Sequence, residues 1–122
     1  KIINNASTNK LKNTKIEWEN KKSMTIVLCS KGYPGKYKKN IRIKNLDKIR
    51  LSKKDFIFHA GTKLKDRELF STGGRVLNIS SLGSNFVKIR RKIIFIIKKI
   101  NWKNGFFRKD IGWRVIKKNA NY

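Results

Sequence analysis

A single cysteine, a single proline and a single histidine stand among 122 residues, with three alanines and seven carboxylates. Each scarcity excludes something. The lone Cys29 permits no internal disulfide and fits a reducing compartment, the cytoplasm. It lies in the apolar run MTIVLCS and reads as a buried, inert thiol. The lone His59 has no second histidine to share a metal with. The longest apolar run, IIFII at 93–97, falls far short of the ~20 residues that a membrane-spanning helix needs. No signal-peptide pattern is visible. The chain opens on Lys1 where a methionine would start an intact product, as a fragment or a processed chain does.

Acidic residues are the most telling scarcity: seven Asp and Glu face 32 Lys and Arg, a formal charge of +25. Such a balance ordinarily points to nucleic acid or an anionic membrane. Its texture argues otherwise. The chain has 24 Lys, 13 Asn and 17 Ile, residues with A- and T-rich codons, and its lysines are spread through every segment. It has no zinc-ligand spacing, no aromatic RNA-binding motif and no basic region joined to heptads. The charge therefore reads as mostly background, with no specific nucleic-acid and no membrane partner. A stand-alone basic module that binds RNA or DNA is the alternative.

The patterning is that of an α+β domain with a mainly antiparallel sheet and one long amphipathic helix packed on it. Residues 1–10 leave their structure open, since NNASTN is poor helix material. Alternation predicts a short strand at 14–19 (TKIEWE) and a buried one at 24–30 (MTIVLCS). Gly32, Pro34 and Gly35 make 31–37 a turn-rich loop. A strand follows at 55–62 (DFIFHAGT), then a hairpin over 63–71 with its turn at Lys65–Asp66, then a strand at 75–83 closed by Gly83. Ser84 is a competent N-cap for a helix over 85–101. There Phe86, Ile89, Ile93, Ile96, Ile97 and Ile100 recur at three- and four-residue steps, with lysines and arginines between them. Such a stripe also suits a membrane surface, but strands on both sides of it favour packing on a sheet. Residues 105–116 read as a turn and a last extended segment carrying Trp113.

The candidate chemistry sits in FHAGTKLKDRELFSTGGRVLNISSLG, residues 58–83. Strand alternation puts Arg75 on the same side as Leu77 and Ile79. A cation leading an apolar face needs a cleft or an anion. Gly73 and Gly74 let the backbone approach a ligand and turn its N–H groups outward, an arrangement that suits phosphate. A guanidinium suits it too, through paired hydrogen bonds. The plainer alternative is a glycine turn followed by an exposed strand-end arginine, and spacing alone does not separate the two. His59 is open in the same way: it also fits a strand residue satisfied by a backbone carbonyl.

Further landmarks carry a resemblance. Gly32-Tyr33-Pro34-Gly35 with Tyr37, His59-Ala60-Gly61-Thr62, Gly73-Gly74-Arg75-Val76-Leu77, and Arg108 with Asp110-Ile111-Gly112 occur in this order. In order and spacing the stretch resembles the C-terminal domain of the phosphoribosylamine–glycine ligase family (glycinamide ribonucleotide synthetases). Trp18 resembles the tryptophan of the family's preceding strand. Lys31 departs from the family's usual glycine, and Lys39-Asn40 from its Lys-Gly. The resemblance implies an ATP-grasp enzyme of purine biosynthesis that activates glycine with ATP and magnesium or manganese, then joins it to the amine of 5-phosphoribosylamine. It implies that residues 14–122 are the C-terminal domain, preceded by a linker or segment end at 1–13 and packed on an upstream ATP-grasp core. The ATP and metal parts lie upstream in the family, so no cofactor and no catalytic residue is expected in this segment. Related enzymes place a C-terminal-domain arginine on the substrate phosphate. By resemblance Arg75 holds that place, with Gly73 and Gly74 beside it, Lys63 as a second cation, and His59 and Thr62 in support.

Overall fold

The computed structural model describes residues 1–118 of the chain. Its centre is the antiparallel pair β1 (Lys22–Ser30) and β6 (Arg75–Gly83), in register from Lys22 opposite Gly83 to Leu28 opposite Leu77. β3 (Asp55–His59) joins the free side of β6, and the two-residue β7 (Gly105–Phe106) joins β1. Strict alternation sends Met24, Ile26 and Leu28 of β1, with Leu77 and Ile79 of β6, to one buried face. Onto that face packs α2 (Phe86–Ile100) through Ile89, Ile93, Ile96, Ile97 and Ile100. Burying each such isoleucine stabilises by about 1.5–3 kcal/mol, so this stripe holds the two layers together.

A second antiparallel sheet, not expected from the sequence, has the order β2 (Ile41–Ile43), β5 (Glu68–Ser71), β4 (Thr62–Lys65). It splits the strand expected at 55–62. β3 belongs to the first sheet and β4 to the second, and the chain changes sheets at Ala60 and Gly61. The β4–β5 hairpin is where expected, but its turn lies one residue further on, at Asp66–Arg67. Both residues have positive φ (49° and 61°), as a two-residue turn compatible with strand twist requires.

Other expectations are also corrected. Residues 14–19 form no strand, and Trp18 is 88% exposed; alternation makes a strand only where a sheet edge receives it. Residues 1–10, whose structure the sequence leaves open, contain a short helix, α1 (Ile2–Ser7), with no buried residue. Asn85, not Ser84, caps α2: its Oδ1 accepts from the N–H groups of Val87 (2.8 Å) and Lys88 (3.1 Å). Residues 113–118 are not extended, since Trp113 opens a further helix, α3 (Trp113–Lys118). Gly112, at φ 83°, makes the reversal before it. The expected domain end at 119–122 lies outside the described residues.

One polar knot sits inside the helix-covered layer. The Asp55 carboxylate, buried at the start of β3, accepts from Ser81 Oγ (2.7 Å), Ser52 Oγ (2.6 Å) and Ser52 N–H (3.1 Å). Lys92 of α2 places its ammonium 2.8 Å away. Burial pushes the carboxyl pKa up, but the Lys92, Ser52 and Ser81 bonds outweigh it and hold it down to about 2. The knot ties β3, β6 and α2 together through groups that are all satisfied.

Candidate functional site

The site begins where the first sheet hands over to the second. The turn at Ala60–Thr62 lies against the strand entry at Thr72–Arg75. Gly61 N–H donates to Arg75 O (2.9 Å), while Gly61 O accepts from Thr72 N–H (2.7 Å) and Gly73 N–H (3.4 Å). A Cβ on Gly61 would stand 2.6 Å from Arg75 O and 2.7 Å from Gly73 Cα. Only glycine permits that approach. From the other side Ser30 N–H bonds Gly74 O and Ser30 Oγ bonds Gly73 O, each at 2.8 Å. The Tyr33 ring covers Gly74 so closely that a Cβ there would lie 2.0 Å from Cδ2. Tyr33 is itself held edge-on by Tyr37, with ring centroids 6.0 Å apart.

A β-bulge decides where Arg75 points. Leu28 pairs with Leu77 but Cys29 pairs with Arg75, so Val76 is an extra residue on β6. Paired residues on neighbouring strands share a face, and Cys29 is on the opposite face from Leu28. Arg75 therefore leaves the sheet away from Leu77 and Ile79, reversing the side that simple alternation assigns it. Val76 is fully buried. Bulges commonly re-aim a side chain in this way.

Arg75 thus emerges on the helix-free face, in an open recess of about 580 Å³ that it shares with Gly61, Gly74, Tyr33, Asn78 and Val27. Its guanidinium has no ion pair or hydrogen bond among the described residues. Three other arginines are committed: Arg42 pairs with Glu68 (2.5 Å), Arg108 pairs with Asp110 (2.6 Å), and Arg90 donates to the carbonyls of Ile111 and Lys109; Arg50, Arg67 and Arg91 are, like Arg75, without an ion pair or hydrogen bond among the described residues. Gly74 N–H and the Asn78 amide likewise have no partner among the described residues. The recess thus gathers a free guanidinium and a free amide beside an aromatic ring, with the buried Gly74 in its wall. That donor set fits an oxyanion carried on a polar organic group.

The remaining expected site residues divide. Gly73 spends its N–H on Gly61 and shapes the turn instead of presenting a donor. His59 Nδ1 and Thr62 Oγ1 are 2.9 Å apart across the sheet change. His59 lines a different recess, of about 450 Å³, with Leu64, Leu69 and the Arg42–Glu68 pair. Lys63 is exposed on β4 and lines neither recess. Cys29 is half-buried, not buried. Burial raises its thiol pKa, with Arg75 pulling the other way, so it is a weak nucleophile. Sequence reasoning missed Tyr33 and Asn78. Tyr33 stands in a glycine-proline loop whose composition signals only turns. Asn78 joins Arg75 only through the bulge, which leaves no periodic signal.

The family model for the phosphoribosylglycinamide synthetase C domain matches residues 23–114. The chain belongs to this family. It is 42% identical over 115 residues to the phosphoribosylamine–glycine ligase of Agrobacterium fabrum, covering 94% of this chain and 27% of that protein. The chloroplastic phosphoribosylamine–glycine ligase of Arabidopsis thaliana is 37% identical over 119 residues, covering 96% of this chain and 22% of the relative. The fold matches the crystal structure of phosphoribosylamine–glycine ligase from Thermotoga maritima with a TM-score of 0.66 at 28% identity, over 88% of this chain and 27% of that one. The chain spans about a quarter of the length of the curated relatives it matches. The α+β fold with antiparallel sheets and a packed helix is therefore that of the family. Asn40, where the family usually has glycine, has φ 57°. Asparagine tolerates that left-handed conformation better than other non-glycine residues.

Proposed function

We propose that this chain acts as the C-terminal domain of a phosphoribosylamine–glycine ligase, and that its part in the reaction is to hold the 5-phosphate of phosphoribosylamine. The whole enzyme, an ATP-dependent carbon–nitrogen ligase of purine biosynthesis, joins glycine to phosphoribosylamine and releases ADP and phosphate. One observation carries the assignment to this domain: Arg75, turned out by the bulge, presents an unpaired guanidinium beside the unpaired Gly74 N–H in a domain whose relatives are such ligases. A phosphate there would take paired hydrogen bonds from the guanidinium and one from Gly74. Gly73 and Gly61 hold the backbone in place, and His59 with Thr62 braces the neighbouring turn. Lys63 adds charge to the field without a direct contact.

By the family resemblance, ATP and magnesium or manganese are assigned to the rest of the enzyme. Among the described residues no three His, Cys, Asp or Glu side chains lie together where an ion could be held. Glycine activation then belongs to the rest of the enzyme. No helix among the described residues is long and apolar enough to cross a membrane. The cytoplasmic location is proposed from the single cysteine, Cys29, which fits a reducing compartment.

Steady-state kinetics of the full-length enzyme test the assignment. A desolvated hydrogen bond to a charged group is worth about 1.5–3 kcal/mol. Arg75→Ala should therefore raise the Michaelis constant for phosphoribosylamine by roughly tenfold to a hundredfold, with that for ATP nearly unchanged. Arg75→Lys should restore part, because it keeps the charge but loses the planar fork. An unchanged phosphoribosylamine constant in Arg75→Ala would remove the assignment.

A further inference from the structure

Asn78 breaks a local rule that its neighbours on β6 keep. Asparagine is disfavoured in strands, yet it stands in an interior strand, opposite Val27 of β1 on one side and Phe58 of β3 on the other. Its half-buried side-chain amide has no hydrogen-bond partner among the described residues. The next polar pair on the same face behaves differently: Thr25 and Ser80 stand opposite each other and bond through their hydroxyls at 2.6 Å. A local rule broken without structural compensation is characteristic of functional positions. The bulge also sets the distance of Asn78 from Arg75. Arg75 pairs with Cys29 and Asn78 with Val27, so three steps along β6 cover only two residues of β1. Two strand residues span roughly 7 Å, and both side chains leave the same face. The recess wall they share is formed by Val27, Tyr33 and the backbone at Gly74.

We propose that Asn78 is a specificity-determining residue of the ligase, and that its amide holds the vicinal 2- and 3-hydroxyls of the ribose whose 5-phosphate lies on Arg75. The inference rests on the reading of Arg75 as the phosphate anchor. A primary amide offers an acceptor oxygen and a donor NH₂ group side by side. A vicinal diol presents the complement: one hydroxyl donates to Oδ1 while its neighbour accepts from Nδ2. Phosphate and ring hydroxyls lie at opposite ends of a 5-phosphorylated furanose, as Arg75 and Asn78 lie at opposite ends of the recess. Val27 and Tyr33 between them suit the carbon skeleton of the sugar. Both ends of the ring are then fixed, and C1, which carries the reacting amine, is left free. A site built to bond a hydroxyl discriminates against the analogue that lacks it, because the polar group of the site is left unpaired. At half-exposed Asn78 water replaces part of the missing bond, so the discrimination is moderate.

Isothermal titration of the full-length ligase with ribose 5-phosphate and 2-deoxyribose 5-phosphate tests the assignment. Wild-type enzyme should bind the ribose form about tenfold more tightly, the loss expected for one hydrogen bond. Asn78→Val suits a central strand and should keep its urea midpoint. It should also bring the two affinities within about twofold of each other, as the loss of that bond requires. Asn78→Ala should do the same without added bulk. Arg75→Ala should weaken both sugars by the same factor and keep the preference, because the phosphate is common to them. A wild-type enzyme that binds both sugars alike, or neither, overturns the proposal. So does a preference that survives in both Asn78 variants. Undiminished binding in Arg75→Ala, with the preference lost in Asn78→Val, leaves the diol contact standing and removes the phosphate reading instead.

Discussion

The two faces of the four-stranded sheet are made by the same strands and behave as different materials. On the helix side Met24, Ile26, Leu28, Leu77 and Ile79 meet the isoleucines of α2 in a sealed layer, and its one buried carboxylate is fully bonded. On the other side Phe56, Phe58, Asn78 and Arg75 are half-exposed or exposed, and the last two have no hydrogen-bond partner among the described residues. The difference teaches a division of labour. Stability lives on the face with saturated contacts, and binding capacity on the face with unspent ones. Substitutions on the first face should be read as unfolding, and those on the second as lost ligand or partner.

The largest expected effect comes from breaking the sealed face. Ile93 is fully buried against the sheet. Ile93→Asp puts an unpaired charge there, which costs about 4 kcal/mol or more. The urea midpoint should fall steeply or folding should fail. A midpoint equal to wild type would mean that α2 does not pack as described.

The Asp55 knot is the next test. Its carboxyl pKa is depressed from 3.8 to about 2 in the folded state, so its contribution is present above about pH 4 and is lost as pH falls toward 2. A depression of that size corresponds to about 2 kcal/mol of stability. Urea midpoints measured from pH 6 to pH 2 should show the loss in wild type. Asp55→Asn should flatten that part of the curve. A profile unaltered by Asp55→Asn would show that the knot contributes nothing to acid sensitivity.

Smaller still is the helix cap. Asn85→Ala removes the acceptor for two N–H groups and should cost about 1 kcal/mol. Ser84→Ala should stay within about 0.5 kcal/mol, as for a surface residue outside such a feature. Denaturation of the two variants separates the residues, and a larger loss in Ser84→Ala would reverse the assignment of the cap.

Legibility in the sequence follows the same two faces. The covered side was readable because burial imposes a period: 3.6 residues for Ile89 to Ile100, two for Met24 to Leu28. The family landmarks were readable because glycines at 61 and 74 occupy places where a side chain would collide, and Gly73 one where it would be tight. What failed had no periodic cause. The orientation of Arg75 depends on one extra residue, Val76, and a one-residue slip flips every side chain beyond it. The break between β3 and β4 depends on a second sheet whose strand Ile41–Ile43 is only three residues long. Alternation at Ile16 and Trp18 looked like a strand but met no partner. The cap went to the neighbouring residue because Ser84 and Asn85 are both good acceptors and only the backbone path chooses between them.

The central claim is that the unspent donors of Gly74 and Arg75 form one anion site. An NMR titration of the ¹⁵N-labelled chain with ribose 5-phosphate tests it most directly. Gly74 N–H and Arg75 Nε–H should shift together with one half-saturation point, while Lys63 and the ring of His59 stay where they are. Arg75→Ala should abolish the shift at Gly74. Shifts centred on Lys63 or His59, or small shifts spread over the lysines with Gly74 unmoved, would contradict the account.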